Sequence, residues 1–305
     1  AERCGRWWQQ MLARHPPNFR RLCLLLAALA CALLSGCSTQ KVLATLMESK
    51  AGSVGEWRDR TVNGAPLLES ATLNTGLLLA PAEGLEVAAS MGDEALELEF
   101  IFSGEMPSGH GSAVPVTRDG YFLTASHCLE GPRSALIVLD NRGRALRVIK
   151  TDWRVVWRSP NKRKLDLALI YAPVRLARAF KLIGAGDLAS GEAVASAGWS
   201  GFIGGTPMAS HAAGNVIGVS EKQGELPGPV WRVVGHDSPL HPGDSGGPLI
   251  DWQGRLIGIH SLIRVRRSRL LFGSSSMKGM GYVGDAIAPD PAWLYGLIEA
   301  DRKAQ

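Results

Sequence analysis

From residue 109 onward the chain is a succession of short apolar runs cut by turn residues, and this spacing limits the fold more than any other feature. "GSAVPVT" and "YFLTASH" flank "RDG", "SALIVLD" and "ALRVIKT" flank "NRG", and "GPLIDW" and "RLIGIHSL" meet across "QG". Each pair reads as a hairpin, with strand-forming residues on both sides of a glycine-containing turn. Adding "LDLALIYA", "GEAVASAGW", "GNVIGVS" and "VWRVVG" gives about ten strands in roughly 180 residues, the signature of an all-β sandwich or of closed barrels. Near the end, Asp290 can cap a helix with Pro291 at its first position, continued by "AWLYGLIEADR".

The part before residue 106 reads differently. Residues 22–35, "LCLLLAALACALLS", follow Arg20 and Arg21; the run is short for a bilayer span but suits the core of a signal peptide. It ends in "LSGC", which resembles the lipobox of bacterial lipoproteins, where a small residue precedes a cysteine that is acylated and becomes the new N-terminus. That resemblance implies a lipid anchor at Cys37. Ser38, where some lipoproteins carry Asp, implies transfer to the outer membrane of a bacterial envelope, facing the periplasm. The competing reading is a buried helix with an incidental cysteine. Residues 38–80 show no sustained period and are expected to form a tether with one short helix near "KVLATLMES", while the acidic residues 84–102 are expected to add a strand or helix. The expected organisation is a lipoprotein signal peptide over 1–36, a tether and N-terminal extension over 37–105, and the β domain over 106–305.

The formal charge of +5 would suggest a polyanionic partner if it belonged to the mature protein. Residues 1–36 carry five arginines and one glutamate, so the remainder holds 28 basic and 27 acidic side chains and no nucleic-acid partner is expected. Cysteines stand at 4, 23, 31, 37 and 128. Once a leader is removed and Cys37 acylated, Cys128 is the one thiol left, and the core must hold the fold without an internal disulfide.

The β-rich region supplies a nucleophile, a base and an orienting acid. "HPGDSGGPL" places Ser245 in a glycine-rich turn where backbone N–H groups can converge, "TASH" supplies His127, and "LDLALI" supplies Asp166 between apolar neighbours. A serine hydroxyl needs a neutral imidazole beside it, and the imidazole needs a carboxylate to fix its tautomer. His127 precedes Cys128 directly, a pair that could also serve metal or redox chemistry, but no His/Cys/Asp spacing here satisfies a zinc template. His110, His211, His236 and His241 read as solvated or structural.

"TASHC", "DLAL" and "GDSGGP", in that order, resemble the histidine, aspartate and nucleophile motifs of the trypsin-like serine proteases, and "GSAVPVTRDGYFLTASH" is similar to the bacterial HtrA-like branch. The resemblance covers residues 109 to about 300 and leaves no chain for the PDZ domain that HtrA proteins carry after the protease. It implies two six-stranded antiparallel β-barrels with a C-terminal helix, catalysis by His127, Asp166 and Ser245 in the cleft between them, and an oxyanion hole from the N–H groups of Gly243 and Ser245. It implies a protein or peptide substrate and no metal or organic cofactor; oligomeric state stays open. Rival readings are a non-catalytic envelope module that keeps the cleft as a peptide groove, and an esterase with the same nucleophile.

Three departures qualify the resemblance. Pro239 stands where trypsin carries the aspartate that selects Lys or Arg, so a basic P1 preference is not expected. Ser261 resembles a serine lining the specificity pocket, and His260 resembles the histidine with which glutamyl endopeptidases hold an acidic P1 side chain, although a pocket-floor histidine without selectivity is the other reading. Beside them "RVRRSR", residues 264–269, is expected to be a solvated loop. Asp244 is present, yet no "IVGG"-like start precedes residue 109, so activation by a freed N-terminus is not expected. Cys128 stands where disulfide-bearing relatives place one half of a bridge, but the position of its expected partner is Ser112. Cys128 is then a small packing residue, and Cys128→Ala is expected to keep most peptidase activity in a peptide-hydrolysis assay.

Overall fold

The computed structural model describes Trp57 and residues 60–62, 65–80, 83, 85–91, 96–102, 109–142, 145–161, 165–203, 206–222, 231–272 and 275–305, all within the compact unit Gly52–Gln305. The expected leader, Cys37 and the "KVLATLMES" helix lie outside the described residues. In chain order the elements are β1 (Thr61–Val62), β2 (Ala65–Pro66), α1 (Leu67–Leu73), β3 (Gly76–Ala80), β4 (Leu85–Met91), β5 (Leu96–Phe102), β6 (Gly109–Pro115) and β7 (Tyr121–Thr124). A 3-10 turn (Ser126–Leu129) leads to β8 (Ala135–Arg142), β9 (Ala145–Thr151), β10 (Arg154–Arg158), β11 (Ala168–Tyr171), β12 (Ala193–Ile203) and β13 (Thr206–Lys222). The chain ends with β14 (Trp231–His236), β15 (Pro248–Asp251), β16 (Leu256–Phe272), β17 (Ser275–Ala288) and α2 (Pro291–Ala304).

The fold is mostly antiparallel β with a terminal helix, as the strand spacing demands. The second half is a closed six-stranded barrel in the order β12-β13-β14-β17-β16-β15. The first half departs from the expected six-stranded barrel: its strands form a seven-stranded sheet in the order β10-β11-β7-β6-β3-β8-β9. The extra member is β3, which pairs antiparallel with β6 on one side and β8 on the other. The expected tether is therefore corrected over its second half. Leu77, Leu78 and Leu79 are a continuous apolar run, and such a run is stable only where both sheet faces are covered; all five residues of β3 are buried. α1 buries Leu67, Leu68 and Ala71 in a cluster shared with the first sheet and the barrel, so residues 65–80 belong to the β body. The acidic 84–102 segment forms the β4-β5 hairpin.

One hydrophobic cluster runs through both halves. It joins Val114, Leu123, Leu167 and Leu169 of the first sheet to Ala195, Ile250, Ile259 and Ile287 of the barrel, and adds Leu294 and Ile298 of α2. α2 starts where the sequence places it, with the Asp290 carboxylate accepting from Trp293 N at 2.8 Å. Three tryptophans from three elements meet at its first turn. Trp157 of β10 lies 5.8 Å from Trp231 of β14 in a near-parallel stack, and Trp293 stands edge-on to both, at 4.9 and 4.5 Å between centroids. At the other end of α2, Asp301 takes both Arg154 Nη atoms and the Tyr121 hydroxyl, and Arg302 reaches Asp119. The helix thus fastens the first sheet to the barrel. Trp231 is buried and contacts both other rings, so Trp231→Ala is expected to cost about 3–5 kcal/mol, read as a lower denaturant midpoint in equilibrium unfolding.

Candidate active site

The three residues marked by the sequence come to one place from different elements. His127 sits in the 3-10 turn after β7, Asp166 in the segment before β11, and Ser245 in the turn between β14 and β15. β7 and β11 are hydrogen-bonded neighbours, with Thr124 opposite Ala168, which sets the histidine turn beside the aspartate. His127 Nδ1 lies 2.5 Å from Asp166 Oδ2, and the His127 backbone N–H donates to Asp166 Oδ1 at 2.9 Å. Arg158 braces the turn from below, donating from Nε to Ser126 Oγ at 2.7 Å and from Nη2 to the Ser126 carbonyl at 3.1 Å.

The nucleophile turn is pinned on both sides. From the first sheet, Ser112 N donates to the Ser245 carbonyl at 2.8 Å, and Ser112 Oγ donates to Gly243 O at 3.2 Å while accepting from Trp199 N at 3.0 Å. From the barrel, Gly246 N donates to His260 O at 2.8 Å and His260 N to Gly247 O at 2.9 Å. Cys128 Sγ donates to the same Ser245 carbonyl at 3.5 Å, which sets the serine against the residue next to His127. Glycine is required at two points: Gly243 and Gly246 have φ of 103° and 84°, and a Cβ there would fall 2.2 Å from His110 Nε2 and 2.0 Å from Ser112 O.

The bonding along this turn leaves a pattern of free donors. The N–H groups of Asp244, Gly246 and Gly247 donate to His241 O, His260 O and Asp244 O. Those of Gly243 and Ser245 find no acceptor among the described residues, and Ser245 Oγ likewise has no hydrogen-bond partner there. Two uncommitted N–H groups flanking an uncommitted hydroxyl are what stabilisation of an oxyanion needs.

Hydrogen bonding to Asp166 raises the His127 pKa, the Cys128 side chain adds to the effect, and burial opposes it. For Asp166, burial pushes the carboxyl up, but the His127 ring and N–H and the Ser261 hydroxyl together outweigh this and lower it. Ser261, expected in the substrate pocket, donates to Asp166 Oδ2 at 3.0 Å, a third hydrogen bond to the carboxylate. His260 is buried with its ring 5.0 Å from that of His236, and burial lowers both pKa values, that of His236 to about 3. Both rings are neutral near pH 7. Pro239 O accepts from Ser196 Oγ at 3.5 Å. Asp244 is buried beneath the turn, where burial raises its pKa against the opposing bonds from His241 N at 2.6 Å and Ser210 Oγ at 3.4 Å. These partners come from within the fold. Ser112 and Ser210 had no motif to mark them; the one signal was the position of Ser112 opposite Cys128.

Residues 111–259 match the family profile of the trypsin-like peptidase domain. Over 201 residues the chain is 26% identical to a probable periplasmic serine endoprotease DegP-like of Hahella chejuensis, covering 63% of this chain and 39% of the relative. It is 30% identical over 158 residues to a protein of the same description from Pseudomonas savastanoi pv. phaseolicola, covering 51% of this chain and 29% of the relative. Among solved structures, an HtrA-type protease AlgW with decapeptide aligns at a TM-score of 0.46 and 18% identity, over 76% of this chain and 66% of that one. The chain thus spans well under half the length of the two curated relatives. The similarity over residues 111–259 is thus to trypsin-like peptidase domains, and the two curated relatives carry a periplasmic serine endoprotease description.

The direction of the His127 shift has a kinetic consequence. Its folded-state pKa lies above the free-imidazole value, so the neutral ring that can accept a proton is populated only as pH rises through that higher value. The acid limb of kcat/KM is therefore expected above about pH 6.5, the unperturbed imidazole value. In Asp166→Asn the limb moves to lower pH and kcat falls by about three to four orders of magnitude, as a pH-rate profile on a peptide substrate would show.

Proposed function

We propose that this protein is a cell-envelope serine endopeptidase that cleaves protein substrates through an acyl-enzyme on Ser245. The observation that carries this reading is a turn that leaves the N–H groups of Gly243 and Ser245 uncommitted, tied through Cys128 to the residue beside a histidine locked to a half-buried carboxylate. In the proposed cycle His127 accepts the Ser245 proton as Oγ attacks the scissile carbonyl, and the developing oxyanion binds the N–H groups of Gly243 and Ser245. The protonated ring, stabilised by Asp166, returns the proton to the leaving amine. Water then repeats the sequence against the acyl-enzyme. Each oxyanion donor contributes about 10²- to 10³-fold in rate.

The envelope assignment draws on the "LSGC" stretch, read as lipidation of Cys37, and on the periplasmic description of the curated relatives. Two or more acyl chains at Cys37 would hold the enzyme on a membrane durably. Around the pocket, Pro239 supplies no carboxylate for a basic P1 side chain, and His260 with His236 supplies an uncharged wall. Selection of Lys or Arg at P1 by the trypsin device is excluded by this proposal.

The decisive experiment is labelling with a fluorophosphonate probe. Wild-type protein is expected to incorporate the probe and to cleave casein, and Ser245→Ala to do neither while keeping the wild-type melting profile. Folded wild-type protein that takes no label would make the cleft a peptide groove without chemistry, and hydrolysis of short acyl esters without casein cleavage would make it an esterase.

A further inference from the structure

His110, expected to be solvated or structural, has a more particular place. It stands on β6 opposite Leu79 of β3, two residues before Ser112. Side chains two apart on a strand share a face, and here both reach the nucleophile turn. Ser112 Oγ donates to Gly243 O at 3.2 Å, and His110 Nε2 lies 3.3 Å from Pro242 O, so alternate residues of one strand take consecutive carbonyls of the turn. A carbonyl only accepts, and Nε2 therefore carries the proton in this contact. No other donor among the described residues reaches Pro242 O.

The carbonyl that His110 holds belongs to the peptide whose N–H is the uncommitted donor of Gly243. Asp244 N donates to His241 O at 3.0 Å, which closes residues 241–244 as a four-residue turn. Pro242 at the second position fixes a negative φ, and Gly243 at the third has φ of 103°, so the turn is type II. A type I turn keeps the closing bond and the proline and differs by a rotation of the central Pro242–Gly243 peptide through about 180°. Glycine takes either sign of φ, so the turn's own residues do not choose between the two forms. The choice sets a direction, because the C=O and N–H of a trans peptide point opposite ways. In the type II form found here the Pro242 carbonyl faces His110 and the Gly243 N–H faces away from it. In the type I form the carbonyl would replace the N–H, an acceptor where an oxyanion needs a donor.

We infer that His110 is a positioning residue for the oxyanion hole: by donating to Pro242 O it holds the 241–244 turn in the type II form and so presents the Gly243 N–H. The inference rests on the peptidase reading above, which makes that N–H a donor to the oxyanion. It gives the glycine at 243 a second purpose. A Cβ there would fall 2.2 Å from His110 Nε2, so only glycine lets the imidazole come close enough to hold the carbonyl one residue earlier. Ser112 and His110 then divide the task, the first fixing the peptide after Gly243 and the second the peptide before it.

The test separates the donor from the ring. His110→Leu removes the N–H, while His110→Gln removes the ring and keeps an amide N–H near the position of Nε2. On a peptide substrate, His110→Leu is expected to lower kcat by about 10- to 100-fold, approaching the loss of one oxyanion donor, with KM changed by less than about twofold. His110→Gln is expected to keep kcat within about threefold of wild type. The affinity for a peptide aldehyde, whose adduct with Ser245 carries its oxyanion in the same hole, should fall in proportion to kcat in His110→Leu and be restored in His110→Gln. A purely structural role would move the melting profile and leave this proportion unmet. Active wild-type protein together with a folded His110→Leu at wild-type kcat would overturn the inference. So would a folded His110→Gln as slow as His110→Leu or, where His110→Leu does not fold, slower than wild type by about tenfold or more. Wild-type protein that neither labels nor cleaves would instead remove the peptidase reading, and the inference with it.

Discussion

The structure turns on the hold that Ser112 keeps on the nucleophile turn. Its N–H binds the carbonyl of Ser245, its hydroxyl binds the carbonyl of Gly243, and the same hydroxyl accepts from Trp199 N on β12. Ser112 belongs to β6 of the first sheet, so one buried residue joins the two halves of the fold at the nucleophile. Thr124 on β7 completes the arrangement by donating to the Ser112 carbonyl at 2.7 Å. Where the disulfide-bearing relatives cross-link this position to the residue after the histidine, here a hydroxyl and a thiol converge on the nucleophile turn from the same side. Hydrogen bonds take the place of a covalent bond. Each adds only about 1 kcal/mol net, but leaving its buried partners unsatisfied would cost about 1–3 kcal/mol apiece, so the set is held more firmly than its sum suggests.

Around this anchor the charges are few. His236 and His260 lie behind the turn, and burial keeps both rings neutral; all four of their ring nitrogens lack hydrogen-bond partners among the described residues. His127 and Asp166 are in direct contact, and Asp166 accepts two hydrogen bonds from His127 and one from Ser261. Three hydrogen bonds spread over both oxygens hold the carboxylate against the imidazole. The ring is then fixed in one tautomer, with Nε2 left over for chemistry.

Much of this was legible in the sequence because its signals were local. The hairpins at "RDG", "NRG" and "QG", the Asp290-Pro291 helix start, and the three catalytic motifs each depend on a few adjacent residues. The contacts that assemble them are not local, and these the sequence concealed. β3 reads as an irregular stretch because "GLLLA" lacks alternation, and only the covering of both its faces explains why it need not alternate. Ser261 resembles a pocket residue, and nothing in "GIHSL" shows that its hydroxyl also reaches an aspartate 95 positions earlier. The arginines of β16 looked like a loop because charge is a good marker of solvent and a poor marker of backbone pairing.

The position of β3 also changes what the segment before the peptidase motifs is for. His127 follows β7 and Asp166 precedes β11, the two strands are bonded to each other, β7 is bonded to β6, and β6 is bonded to β3. Ser112, which holds the nucleophile, lies directly opposite Leu77 of β3. α1 extends the same dependence into the barrel, where Thr72 Oγ1 donates to Ser210 O and Trp199 Nε1 donates to Thr75 O. Ser210 is in turn the residue whose hydroxyl meets Asp244 under the turn. Residues 65–80 thus reach the Ser245 turn by two routes, through β6 from one side and through β12 and β13 from the other. What composition presents as a spacer between an anchor and an enzyme is part of the frame that positions the nucleophile.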